Sequence, residues 1–293
     1  MLDLLLSEIS SAPLLLRDSA IGETIVLGKK ILKEDKIEPK SLPKLQMAGY
    51  ISPEDEYNTN PFDDFQEGTI AVLPIIGTMY KYGGWYSHGM DNIADLLRLA
   101  DKSSKITGVI LYMNTPGGTT KSVIQMEDAL RNRTKPCVAF IDGESCSAGI
   151  YVASFCDHIV AVNPMCQIGS VGVQLKMLDF SAWYESMGIK SVTVRPPESK
   201  FKNTEFEEAL KGNDDRLVKE ILSPYAIHFQ NLIKTNRPQV DTSVEGLLEG
   251  KVFYAQDAIN YGLIDSIGNF DFAINKVQEL ISTQKDIYSI TKF

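Results

Sequence analysis

From Thr69 onward, apolar runs of β-forming residues alternate with segments whose leucines recur at helical spacing, and this alternation is what most limits the folds open to the chain. Ile70-Ala71-Val72-Leu73-Pro74-Ile75-Ile76 reads as a strand, Asp91 to Asp101 as a helix, Ile106 to Met113 as a strand and Thr119 to Arg131 as a helix. Val138 to Ile141 then reads as a buried strand and Ile150 to Phe155 as the first turns of a buried helix. A long helix over Asp214 to Lys234, then Ala255 to Tyr261 and Asp271 to Ile281, completes the pattern. The order predicts an α/β core of stacked β-α units.

Two glycine turns interrupt this core where chemistry could sit. The first, Gly143-Glu144-Ser145-Cys146-Ser147-Ala148-Gly149, joins a strand to a helix, so Ser147 falls where backbone N–H groups lack intrahelical partners and negative charge is stabilised. Small residues at such a junction also serve close packing. The second turn, Asn114-Thr115-Pro116-Gly117-Gly118, follows directly on a strand. Acyl transfer needs both: one oxyanion donor from the residue after the nucleophile, here Ala148, and a second from a loop whose backbone approaches closely, for which Gly118 lacks an obstructing Cβ.

A serine needs a base. His88 lies in a glycine- and serine-containing loop, His158 heads the run Ile159-Val160-Ala161-Val162, and His228 falls in a helical stretch; all three read as structural. An unprotonated lysine can take the role instead. Val192 to Asn203 runs from a β-rich stretch through Pro196-Pro197 to Lys200 and Lys202, which flank Phe201, and either lysine is a candidate. Cys137, Cys146, Cys156 and Cys166 show no zinc-type pairing and read as small buried hydrophobes, with Cys146 expected to point away from the cleft if Ser147 faces it.

Taken together, the strand with Thr115-Pro116-Gly117-Gly118, the Ser147-Ala148-Gly149 turn with Tyr151, Ile168-Gly169-Ser170-Val171-Gly172-Val173 and Ser199-Lys200-Phe201-Lys202 resemble the signal peptide peptidase A family, which includes phage head-maturation proteases. The resemblance covers about residues 69 to 280. It implies a fold similar to the ClpP and crotonase proteins and a serine endopeptidase with a Ser/Lys dyad. Ser147 would be the nucleophile, Lys202 the general base with Lys200 as the alternative, and Ser170 a serine steadying the base. The oxyanion and substrate-binding positions would be Gly117, Gly118 and Ala148. It also implies a ring-like homo-oligomer acting on a polypeptide, with a phage capsid or scaffold protein as the expected substrate. The alternatives are a cellular signal-peptide-degrading peptidase, a non-catalytic member of the fold, or an acyl-thioester enzyme of crotonase type.

The remaining composition narrows the class. At 293 residues and 44% hydrophobic content the chain can bury one large core with appendages. Residues 1–67 mix leucine runs, a lysine-rich stretch from Lys29 to Lys44 and acidic turn-forming segments, and read as an N-terminal arm and linker ahead of a domain over 68–293. That arm is a candidate pro-segment or assembly arm, or equally a small helix packed on the domain. Leu4-Leu5-Leu6 and Leu14-Leu15-Leu16 fall far short of the roughly 20 residues of a membrane span, and no basic residue precedes the first leucines as a secretory signal requires. The expectation is a cytoplasmic enzyme, virion-associated during assembly if the phage reading holds. A net charge of −9 without a basic cluster argues against nucleic acid as partner. No phosphate-cradling loop or metal-ligand set is visible, so no cofactor and no metal is expected.

Overall fold

The computed structural model describes residues 14–16, 60–83 and 88–290. The elements are β1 (Leu14–Leu16), β2 (Thr69–Ile76), α1 (Met90–Lys102), β3 (Ile106–Thr115), β4 (Gly117–Thr119), α2 (Ile124–Arg131), β5 (Cys137–Cys146) and α3 (Ala148–Ala153). They continue with β6 (His158–Ala161), β7 (Gln167–Gly169), α4 (Ser181–Ser186), α5 (Thr204–Leu210) and α6 (Ser223–Asn236). The chain closes with β8 (Val252–Tyr254), α7 (Ala255–Asn260), β9 (Ser266–Ile267) and α8 (Phe270–Ile290).

Strands β2-β3-β5-β6-β9 hydrogen-bond in that order, all parallel. Parallel strands need crossover connections, and the helices these supply bury both faces of the sheet. On one face Leu73, Leu111 and Ala139 pack with Ile93 and Leu97 of α1, Met126 and Leu130 of α2, Ile150 of α3, and Phe229 and Ile233 of α6. On the other, Ile110, Val138, Phe140 and Val160 pack against Ala273 and Val277 of α8. Helix α1 shows why the sequence pattern works: Met90, Ile93, Ala94, Leu97 and Ala100 form its buried stripe, with Asp91 in the first turn and Lys102 in the last, each suited to the helix dipole.

Strand β5 divides its pairing. Val138 to Ile141 lie beside β6, whereas Glu144 to Cys146 lie beside β7, which in turn pairs antiparallel with β8. Beyond the sheet, Arg237 at the end of α6 is buried and donates to both carboxylate oxygens of Asp265, at 3.0 and 2.6 Å. The same carboxylate accepts the Ile159 N–H at 2.7 Å, which ties α6 to β6.

Three elements differ from the sequence expectation. Thr119 to Arg131 is not one helix: a 3-10 turn, Thr120–Val123, precedes α2. The expected helix over Asp214 to Lys234 is broken into a short turn (Asp215–Leu217), a π-helical turn (Val218–Leu222) and α6, because Pro224 in the first turn of α6 has no N–H to donate back. The β-rich stretch ending at Val194 forms no strand; among the described residues no strand pairs with it, and Val192 and Val194 are 80% and 86% exposed.

Of residues 1–67, the structure describes 14–16 and 60–67. Phe62 is buried in the core, Asn60 Nδ2 donates to the Leu99 carbonyl at 2.8 Å, and Ser103 Oγ donates to Asp63 at 2.8 Å, so the last part of the linker is packed on the domain. All four cysteines are buried and unbridged. Among the described residues no helix is long and apolar enough to cross a membrane.

Candidate active site

Strand β5 delivers Ser147 into a sharp turn. Its φ of 54° and ψ of −116° lie outside the regions open to most L-residues, and α3 begins at the next residue. Such a conformation costs about 1–3 kcal/mol and persists only where the surroundings impose it. Here they do: the Ser147 N–H donates to the Gly169 carbonyl at 2.8 Å, and the Ser147 carbonyl accepts the Tyr151 N–H at 3.0 Å. The Ser147 hydroxyl does not cap α3, so it is not engaged by its own helix. The following Ala148 contributes a first-turn N–H, one that an α-helix leaves without an internal acceptor. Close packing also shapes the turn, since a Cβ on Gly149 would stand 2.8 Å from Thr115 Cγ2.

The second glycine turn lies against this one, because α3 packs on β4. Thr115 organises it: its hydroxyl donates to the Gly77 carbonyl at 2.6 Å and accepts the Gly117 N–H at 3.1 Å. Gly117 has φ +103°, a conformation that side chains resist. Gly118 is required for a different reason. Met79 brackets it, donating to the Gly117 carbonyl at 2.8 Å and accepting the Thr119 N–H at 3.0 Å, and a Cβ on Gly118 would stand 1.8 Å from the Met79 carbonyl oxygen. Successive peptide groups of a strand point to opposite sides. The N–H of Gly118 therefore faces away from Met79, toward the edge of β4 that pairs with β1.

Ser170, the residue after the Ser147 acceptor Gly169, has φ 56° and donates its N–H to the Lys251 carbonyl at 2.8 Å. One chain thus gathers Ser147, Ala148, Gly117, Gly118 and Ser170 around the ends of β4, β5 and β7. Neither candidate base, Lys200 or Lys202, joins them. Lys200 and Lys202 are exposed; the Lys200 ammonium lies over the Phe201 ring at 4.9 Å, and the Lys202 carbonyl accepts from Arg195 Nε at 2.6 Å. No hydrogen bond among the described residues joins either ammonium to Ser147 or Ser170. They belong to a segment, with α4 at its start, whose large apolar side chains Phe180, Trp183, Met187, Ile189 and Phe201 are half or more exposed or nearly so.

Two of the histidines are engaged elsewhere. His158 Nε2 meets Ser266 Oγ at 2.9 Å and His228 Nε2 meets the Tyr151 hydroxyl at 3.1 Å. Tyr151 also donates to Glu127, and burial, then that carboxylate, pushes its phenol well above the ordinary range. This Tyr151-Glu127-His228 group, at the back of α3, was not foreseen as a unit; its members are separated in sequence, and only Tyr151 lay in a recognised motif. Cys146 is buried with its sulfur 3.6 Å from the Gln167 carbonyl. In the loop after β2, Met79 and Tyr80 are buried and Tyr82 is exposed, while Trp85 and Tyr86 lie outside the described residues.

Comparison with known proteins agrees with the fold. Residues 83–163 match the profile of Clp protease, the fold expected from the sequence. The chain is 30% identical over 222 residues to Protease 4 of Haemophilus influenzae, covering 74% of this chain and 35% of that protein. It is 27% identical to Head-tail preconnector protein GP5 of Enterobacteria phage P21, covering 70% and 42%, and 25% identical to Capsid assembly protease C of Escherichia phage lambda, covering 74% and 50%. The chain therefore spans between about a third and a half of the length of these relatives. Residues 129–284, more than half of the chain, match the profile of Peptidase family S49, and the chain belongs to that family.

Proposed function

We propose that the chain is a serine endopeptidase in which Ser147 attacks the peptide carbonyl, Lys202 accepts its proton, and the N–H groups of Ala148 and Gly118 hold the oxyanion. The observation that carries this reading is the Ser147 turn: a strained serine at the start of a helix that its hydroxyl does not cap, close to β4, whose Gly118 N–H faces away from Met79. Attack gives a tetrahedral intermediate; its collapse breaks the C–N bond, and the lysine passes the proton to the leaving amine. Water, deprotonated by the same lysine, then hydrolyses the acyl-enzyme. In this reading Ser170, which directly follows the Ser147 acceptor Gly169, orients the base.

The exposed lysine segment supports a homo-oligomer as the working form. Contiguous apolar surface of the kind carried by Phe180, Trp183, Met187 and Ile189 marks an interaction site. Covering it would remove the lysine segment from bulk water and bring it toward a serine. Similarity to two proteins whose names denote phage head assembly, GP5 and capsid assembly protease C, supports a capsid or scaffold protein as substrate.

A fluorophosphonate probe tests the reading. It should modify Ser147 in the assembled protein, and Lys202→Ala should abolish modification while leaving the circular dichroism spectrum unchanged. Loss in Lys200→Ala with retention in Lys202→Ala would move the base to Lys200. No modification of Ser147 at all would leave a non-catalytic member of the fold.

A further inference from the structure

The edge of β4 that the oxyanion donor faces is not empty. Residues 14–16 lie along it as an antiparallel strand, with Leu14 opposite Thr119, Leu15 opposite Gly118 and Leu16 opposite Gly117. Met79 uses the Gly117 carbonyl and the Thr119 N–H on the other side. The groups of β4 that face β1 are therefore the N–H and C=O of Gly118, and in an antiparallel pair of this register they exchange hydrogen bonds with the residue directly opposite. That residue is Leu15. Its carbonyl is thus directed to the N–H that the serine-peptidase reading assigns to the oxyanion.

An extended peptide added to a sheet edge is how many peptidases and peptide-binding domains hold their ligands: main-chain bonds supply affinity and alternate side chains supply selectivity. Strand β1 has the direction a substrate needs. Residues N-terminal to Leu15 run along β4 toward Thr119, and Leu16 leaves past Gly117 toward the turn after β3. The strand is also drawn from an apolar run, Pro13-Leu14-Leu15-Leu16, bounded by Arg17 and Asp18.

We propose that this segment is a substrate of the chain's own active site and that the enzyme cleaves itself between Leu15 and Leu16. This rests on the serine-peptidase reading above. Ser147 Oγ bonds to the Leu15 carbonyl carbon as the base takes the hydroxyl proton. The Leu15–Leu16 C–N bond then breaks, and the proton goes to the new amine of Leu16. One water hydrolyses the ester, giving a carboxylate on Leu15 and returning Ser147 to its hydroxyl form. Until the cut is made, the strand blocks the edge that any other polypeptide would use, so cleavage and departure of the segment open the groove to substrates in trans.

Intact-mass measurement and N-terminal sequencing of the full chain, taken over time after purification, test the proposal. The wild type should lose residues 1–15 and acquire Leu16 as its first residue, and Ser147→Ala should stay whole. Leu15→Asp, which changes only the residue before the cut, should slow the loss about tenfold or more. Fluorophosphonate labelling of the same samples separates the two readings. A chain that is labelled at Ser147 yet stays whole overturns self-cleavage and leaves the peptidase intact; a chain that is neither labelled nor cut overturns both. A cut that persists in Ser147→Ala, or a first residue other than Leu16, also overturns the proposal.

Discussion

The Ser147 amide donates to the Gly169 carbonyl at 2.8 Å, so the turn that carries the candidate nucleophile is fastened to β7 as well as to its own strand. Because glycine accepts positive φ without penalty, Ser147→Gly should relieve part of the roughly 1–3 kcal/mol stored there, whereas Ser147→Ala should keep it. The glycine variant should melt several degrees above the alanine variant, at about 2–4 °C per kcal/mol for a chain of this size. Calorimetry on the two inactive proteins decides the matter, and equal melting temperatures would show that the turn stores no strain.

Gly118 admits no side chain while Met79 stays in place, given the 1.8 Å approach of a Cβ to the Met79 carbonyl oxygen. Gly118→Ala should therefore displace β4 and its N–H, lowering kcat/KM by about 100-fold or more, the usual consequence of losing one oxyanion donor. Activity within a few-fold of wild type would remove Gly118 from that role.

Breaking the buried Arg237–Asp265 pair should be among the most damaging single changes. Arg237 is 4% exposed, and Asp265→Ala would leave its guanidinium without a counter-charge. A loss of about 3–5 kcal/mol is expected, read from urea unfolding. Replacing both partners by apolar residues of similar volume should recover much of it.

Tyr112 should make the folded protein sensitive to alkali. Burial first, and then its hydrogen bond to Asp142 and that carboxylate's charge, raise its phenol to about 12. A group whose pKa is higher in the folded state stabilises it fully below the unfolded value, about 10 for tyrosine, and stops doing so as pH rises through the folded value. The stability difference between wild type and Tyr112→Phe should hence be constant up to about pH 10 and shrink between there and about pH 12. A difference that does not change over that window would rule out the Asp142 contact as its source.

Trp183 and Phe180, 57% and 51% exposed in the single chain, should become protected in the oligomer. Trp183→Ser with Phe180→Ser should shift the assembly toward monomer in sedimentation velocity and reduce peptidase activity with it. An unchanged oligomer would place the subunit contacts elsewhere.

Much of this was legible in the sequence because its signals were local. The apolar runs at Ile70 to Ile76 and Ile106 to Met113 and the leucine stripe of α1 each reflect contacts their own neighbours make, and the two glycine turns sat where a strand must bend sharply. The features that escaped depend on partners far along the chain. Pro224 divides α6 from the turn before it through one missing N–H. Met79 forces Gly118 to be glycine although nothing in its own surroundings says so. The lysine segment reads as β-rich by composition, yet without a strand beside it Val192 and Val194 stay in water. In the reading proposed above, its approach to Ser147 would depend on surfaces of a second copy.

Strand β5 changes neighbours partway, leaving β6 after Ile141 and joining β7 from Glu144. Between these two allegiances, Asp142 and Gly143 pair with neither strand, so the sheet divides there, toward the carboxyl ends of its strands, where α/β folds hold ligands. A division of this origin belongs to the backbone plan, set by which strand β5 accompanies at each residue.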